Sequence, residues 1–301
     1  MAHWMRLLLA CLLGLLWPWM ACAADKIAVV LDVNGPVTVV SELNGFTDES
    51  PLLRTNHLSA GNRLLIGEGA EVTLMHLELF KRFTLRGPEE AVVQREGFQL
   101  RSGMAEPVAA ATYGNLGMLA SLGKGRSQLK MPEVVIGIRD LDKKIGDIIL
   151  AAPVDKERVG EPRLEFAWHP LADTTDYRLM LRDADGGMVL DVPVQGSPFV
   201  LPESVVLQPG GRYTWQVVAA NGARTEKSAV WSFEVLTSEE QESLQLWRPG
   251  ADATISDRVL YAMLLEKLGV IRMAGQQWRI LHEQQPADPL FAKKARLGGV
   301  R

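Results

Sequence analysis

Apolar and polar positions change rhythm several times along the chain. Between residues 26 and 104 there are short alternating runs at 27–33, 37–40, 72–79 and 83–85. They are punctuated by Asn34-Gly35-Pro36, Asn44-Gly45, Gly61-Asn62, Gly67-Glu68-Gly69 and Gly87-Pro88. A period of two between such turns marks half-buried strands, and the regular spacing predicts a sandwich or roll of antiparallel strands. Over residues 106–152 the pattern weakens into Ala and Gly, ending in strand-like stretches at 134–138 and 145–150. Alternation then returns: Leu164, Phe166 and Trp168 share one face of a strand, Tyr177, Leu179 and Leu181 share one face of the next, and Asp185-Gly186-Gly187 supplies a hairpin turn. After residue 237 the period lengthens to that of a helix. Ser238 is read as an N-cap before Glu239 and Glu240, Leu244 and Trp247 form a stripe, and Pro249-Gly250 ends it. The predicted fold is mainly β and closes on a C-terminal α-helical hairpin.

The amino terminus does not share these rhythms. Arg6 precedes an uncharged apolar run over residues 7–17, Pro18 breaks it, and Ala21-Cys22-Ala23 follows. Charge, apolar core and small-residue site in that order predict a cleaved secretory signal peptide over residues 1–24 and a periplasmic location. Two other readings remain open. One is an uncleaved anchor, and the other is lipidation at Cys22, which Trp19 and Met20 suit poorly. Both cysteines, Cys11 and Cys22, lie in this leader, so cleavage leaves a chain without disulfides, thiolate metal sites or cysteine nucleophiles. The remainder divides into a β-domain (25–105), a connecting segment (106–152), a β-sandwich (153–236) and a helical tail (237–301).

Composition is that of globular protein, 47% hydrophobic and 23% charged, and the net charge of −4 becomes one unit more acidic once Arg6 is removed. A mildly acidic chain argues against nucleic acid as a partner, since phosphate binding needs concentrated Lys and Arg.

Three stretches resemble known families. Leu58-Ser59-Ala60-Gly61-Asn62-Arg63-Leu64, Gly67-Glu68-Gly69-Ala70-Glu71-Val72-Thr73-Leu74 and Phe83-Thr84-Leu85-Arg86-Gly87-Pro88 resemble the periplasmic FecR domain. The likeness spans about residues 29–103 and departs at Glu78-Leu79-Phe80-Lys81-Arg82, where that family has an Asp-Gly-Ser turn. It implies a domain that passes signals or holds partners in the periplasm, and carries over no catalytic residue. Leu207-Gln208-Pro209-Gly210-Gly211-Arg212-Tyr213-Thr214-Trp215 has the form of a tyrosine corner, in which the hydroxyl returns to the upstream backbone. With Trp231-Ser232-Phe233-Glu234-Val235 as a last strand, residues 153–236 resemble an immunoglobulin/fibronectin type III-like sandwich. Residues 255–288, with Ala262, Leu265, Gly269, Ala274, Trp278, Leu281 and Pro286, resemble one tetratricopeptide unit of about 34 residues. A single unit cannot bury its apolar face alone. Leu265, Ala274, Trp278 and Leu281 are therefore the candidate docking residues, and two covers are open: the neighbouring sandwich, or a second chain, which includes self-association. The end, from Lys293 to Arg301, reads as a frayed basic terminus.

Little in the chain points to catalysis. His57, His76, His169 and His282 are widely spaced and form no helical metal motif, and no Gly-x-Ser-x-Gly elbow occurs. Gly123-Lys124-Gly125-Arg126-Ser127 fails as a phosphate loop, because Gly125 stands where Ser or Thr must follow the lysine. Asp140 with Asp142, and Glu89 with Glu90, read as solvated loop charges, and Asp183-Ala184-Asp185-Gly186 reads as turn chemistry rather than a calcium loop. The expectation is a protein without enzymatic activity, cofactor or metal, binding a protein partner of the cell envelope. The alternative is an envelope glycan or peptidoglycan binder that uses Trp168, Tyr213, Trp215 and Trp231, whose period-two placement favours core packing instead.

Overall fold

The structure is a computed structural model that describes residues 25–108 and 148–297, apart from 44, 161–162, 172–173, 175 and 222–223. The leader, both cysteines, the stretch at 134–138, Asp140, Asp142 and the Gly123–Ser127 loop lie outside the described residues.

The N-terminal unit is built from β1 (Lys26–Asn34), β2 (Val37–Leu43), β3 (Phe46–Pro51), β4 (His57–Ser59), β5 (Arg63–Ile66), β6 (Glu71–His76), β7 (Lys81–Arg86), β8 (Glu89–Gln94), β9 (Gly97–Leu100) and β10 (Gly103–Met104). They form two antiparallel sheets, in the orders β4-β1-β6-β7 and β10-β9-β8-β5-β2-β3. Ile27, Val30, Val72, Leu74, Phe83 and Leu85 of the first sheet share a core with Leu64, Ile66, Ala91, Val93 and Phe98 of the second. The turns sit where the glycines predicted them. Gly87 is required for close approach, since a Cβ there would lie 1.8 Å from the carbonyl oxygen of Gly67.

Strand β1 departs from the alternation expected for residues 27–33. Ile27 through Leu31 are all buried. Ile27, Ala28 and Val30 belong to the sandwich core, whereas Val29 and Leu31, with Met75 and Leu77 beside them, belong to a second core on the opposite face of the same sheet. A strand covered on both faces reads as a continuous apolar run.

The second unit comprises β11 (Ile149–Ala152), β12 (Glu157–Val159), β13 (Glu165–His169), β14 (Asp176–Asp183), β15 (Met188–Gln195), β16 (Phe199–Val200), β17 (Arg212–Asn221), β18 (Arg224–Lys227) and β19 (Trp231–Val235). Its first strand lies upstream of residue 153, so residues placed in the connecting segment belong to the sandwich. One sheet runs β11-β13-β16 and the other β12-β19-β17-β14-β15, with β18 paired to β17. β12 lies parallel to β19, so the leading segment crosses from one sheet to the other. This partition is that of an immunoglobulin-like sandwich of the fibronectin type III kind. The core holds Phe166, Trp168, Leu179, Leu181, Trp215, Val217 and Phe233. The tyrosine corner is formed: the Gln208 amide donates to the Tyr213 hydroxyl at 2.7 Å. A second tyrosine does the same work unforeseen, the Leu171 amide donating to the Tyr177 hydroxyl at 2.9 Å.

Four helices follow: α1 (Ser238–Trp247), α2 (Ile255–Leu268), α3 (Ile271–Gln284) and α4 (Pro289–Leu297). The cap of α1 is Thr237, one residue before the Ser238 expected, because Thr237 and Glu240 close a capping box. Thr254 and Asp257 close another at α2, which ends on Gly269 in the left-handed region. The expected hairpin, α2 and α3, is thus extended by α4. Residues 293–297, predicted as a frayed end, are helical because Phe291 and Ala295 anchor that helix in the tail core.

Candidate interaction site

The four predicted docking residues come together. Leu265 of α2 and Ala274, Trp278 and Leu281 of α3 all lie at 2% exposure or less, in one cluster with Phe291 of α4 and with Val29, Leu31, Met75 and Leu77 of the N-terminal sheet. Their cover is therefore the outer face of the β1–β6 sheet together with α4. The neighbouring sandwich contributes Leu236 at its end. Their apolar surface is consumed inside this chain, so docking a partner through them would require the tail to leave its seat.

Polar groups close the cluster. The Trp278 indole N–H donates to Glu266 Oε1 at 2.9 Å, and Lys294 Nζ reaches both Glu266 oxygens at 2.8 and 2.9 Å while lying 5.4 Å from the Trp278 ring centre. A buried indole N–H needs such an acceptor, and the lysine offsets the carboxylate charge. Two ion pairs fasten the tail to the N-terminal unit. Arg54 bridges Asp32 and Asp288 and lies 5.2 Å from the Phe291 ring centre, and Arg82 pairs with Asp257. Burial works against the Asp257 charge, but its Thr254 and Arg82 hydrogen bonds outweigh it and hold the carboxyl below the usual range.

A different set fastens the tail to the second sandwich. Arg158 of β12 donates to both Glu240 oxygens at 2.9 and 2.7 Å and to the Leu268 carbonyl at 3.2 Å, and it also pairs with Glu234. Glu157, 4% exposed, accepts from the Val154 amide at 2.9 Å and from the Arg272 amide at 3.2 Å. The N-cap of α3 is Val270, which has no capping side chain. A carboxylate from another unit thus satisfies an orphan N–H and meets the positive end of the helix dipole. Arg54, Arg82, Glu157 and Arg158 were not singled out in the sequence. The only signal was the unbroken apolar run at Ala28-Val29-Val30-Leu31, which implies a second cover without naming it.

The other candidates resolve into structural roles. Trp168, Tyr213 and Trp215 are buried and Trp231 is half-buried against the same core, so these rings make no open platform. His76 is fully buried, with Nε2 2.8 Å from the Gln94 carbonyl and Nδ1 accepting from the Leu79 amide at 3.2 Å. Glu90 pairs with Arg63 and Arg101. Asp183 accepts from the amides of Asp185 and Gly187, as the turn reading required. Among the described residues no group of His, Cys, Asp and Glu could hold a metal ion, and no helix is long and apolar enough to cross a membrane.

What these observations define is a protein with a fibronectin type III-like β-sandwich, a second antiparallel β-unit, and a helical tail seated on both. No family model matches the chain, and no curated protein matches it. Among solved structures it is similar to a two-domain fibronectin type III segment of chicken tenascin, at 14% identity over 71% of this chain and 94% of that one, TM-score 0.21. It is also similar to the FN1–FN3 domains of chicken CNTN1, at 11% identity over 71% and 64%, TM-score 0.23. A third likeness, to the twitchin kinase region of C. elegans, has 17% identity and TM-score 0.21 and covers 28% of this chain but only 16% of that one. With likenesses this distant, the fold assignment rests on the strand order and the tyrosine corner.

Proposed function

We propose that the chain is a non-enzymatic scaffold of the bacterial periplasm, exported by its leader, whose helical tail clamps two β-units into one body that presents their outer surfaces to an envelope protein. The observation that carries this reading is the double attachment of the tail. Arg54 and Arg82 of one unit meet Asp288 at the start of α4 and Asp257 of α2, and Glu157 and Arg158 of the other meet Arg272 of α3 and Glu240 of α1. Fixing two modules in one geometry has a use where a partner must meet both, because the ordering entropy is lost on folding rather than on binding. The FecR-like stretch at residues 29–103 supports a partner such as a membrane sensor or envelope complex, and the leader supports the compartment. Crosslinking in intact cells, followed by affinity purification of the full chain, tests it. Recovery of one stoichiometric envelope protein supports the scaffold, and its absence together with sedimentation on purified sacculi would replace it with a polymer binder.

A further inference from the structure

Strand β6 is the wall shared by the two cores of the N-terminal unit. Leu74 faces the sandwich core, Met75 and Leu77 belong to the tail cluster, and His76 stands between those two in sequence with its ring turned to sandwich-core phenylalanines. The His76 ring sits edge-on to Phe83 and Phe98, with centroids 6.5 and 5.8 Å away. Of its two nitrogens, Nδ1 accepts a hydrogen bond from the Leu79 amide, so Nε2 carries the proton that is donated to Gln94. Both bonds are satisfied only by the neutral ring. Protonation would give Nδ1 a hydrogen that points at the Leu79 N–H, and would set a charge among phenylalanines.

The Leu79 bond ties down the turn that follows β6. Within that turn Leu77 is buried in the tail cluster and Phe80, held in the left-handed region at φ 55°, packs against it. The next strand then delivers Arg82 to Asp257. We propose that His76 is an acid-sensitive latch for the tail: protonation releases the turn at residues 77–80 and, through it, the seat of α2–α4 on the N-terminal unit.

The charged groups around the ring do not prevent this. Lys81 stands opposite His76 in the β6–β7 ladder, Glu78 and Glu96 lie near enough to favour the charged ring, and Arg95 is paired with Glu78 and Asp25. Burial outweighs the Gln94 hydrogen bond and the two glutamates and lowers the folded pKa below 6.5. The sign follows from linkage: the opened state binds the proton at the ordinary value and the closed state does not, so closure is fully favoured above 6.5 and weakens as pH falls. Asp257 and Glu240 are both held below the usual carboxylate range, so both stay ionised through that window, and of the three groups His76 is the one that titrates in it.

The inference rests on reading the tail as a clamp, and hydrogen exchange of the full chain separates the two ideas. Between about pH 7.5 and about pH 5.5, exchange in α2–α4 and residues 77–80, corrected for intrinsic amide rates, should rise by up to about tenfold per pH unit below the ordinary histidine pKa, with β13–β19 unchanged. His76→Gln, whose amide can donate to Gln94 and accept from Leu79 without titrating, should abolish the rise. An equal rise in that variant overturns the latch. Protection at both pH values overturns the latch and leaves the clamp, whereas no protection at neutral pH overturns the clamp itself. If His76→Gln does not fold, imidazole nitrogen shifts in the unmodified protein decide the matter. Protonation of His76 in step with α2–α4 exchange supports the latch, and exchange that rises while the ring stays neutral refutes it.

Discussion

The two β-units solve the same problem with different amounts of help. The second sandwich closes on itself: Phe166, Trp168, Trp215 and Phe233 meet between its sheets, and two tyrosine hydroxyls satisfy backbone amides at its corners. The N-terminal unit does not, because its β1–β6 sheet carries Val29, Leu31, Met75 and Leu77 on the outside. Those side chains are buried only while α2–α4 stand over them. One unit is self-sufficient and the other is completed by a segment that follows it by more than a domain's length of chain.

Removing the tail should expose that difference most sharply. A chain ending at Arg248 is expected to lose cooperative unfolding of the N-terminal unit, or to aggregate through the bared sheet, while the second sandwich keeps its protection. Limited proteolysis with mass readout checks this, and equal loss in both units would sink the asymmetry. Trp278→Ala breaks the same seat at one point. A loss of about 3–5 kcal/mol is expected in denaturant unfolding, confined to the transition that melts the tail and the N-terminal unit.

Changes in the second sandwich should behave conversely. Tyr213→Phe leaves the Gln208 amide without its acceptor and should cost about 1–3 kcal/mol, read from the unfolding midpoint of that unit, with tail exchange unaltered. A change felt mainly in the tail would mean that the units are not separable. Glu157→Ala sits on the boundary. It removes the acceptor that caps α3, and the expected loss of about 1–2 kcal/mol should appear as faster exchange at Arg272 and its neighbours rather than in the β-strands.

Much of this arrangement was legible in the residues. Period-two alternation and glycine turns located β1, β2, β6 and β7 in the first unit and β13, β14, β17 and β19 in the second, though not strands such as β8, β9 and β15, and the Leu-x-Pro-Gly-Gly-x-Tyr stretch pointed to the return of the Tyr213 hydroxyl to the upstream backbone. Leu265, Ala274, Trp278 and Leu281, singled out as docking residues, do share one buried cluster, because helical spacing places them on facing sides of two adjacent helices. What covers them was not legible. The adjacent sandwich, one of the covers considered, contributes Leu236, but the sheet of residues 26–34 and 71–76, whose contact with the tail crosses most of the chain, was not foreseen. The buried Glu157 was likewise invisible, since a lone glutamate in a short strand looks like any solvated charge until a helix N-terminus is brought to it.

By itself, then, the sequence determined what is local: which segments extend, which coil, where they turn, and which faces are apolar. These follow from backbone sterics and from the periods of strand and helix, and they operate over a few residues. The tertiary structure alone decided which apolar face meets which, and so made the tail a clamp between two units. That choice depends on the shape and charge of surfaces far apart in the chain. Apolar burial favours covering the β1–β6 face without regard to what covers it, and the ion pairs of Arg54 and Arg82 select the tail as the segment that does, while Arg158 ties the same tail to the second unit.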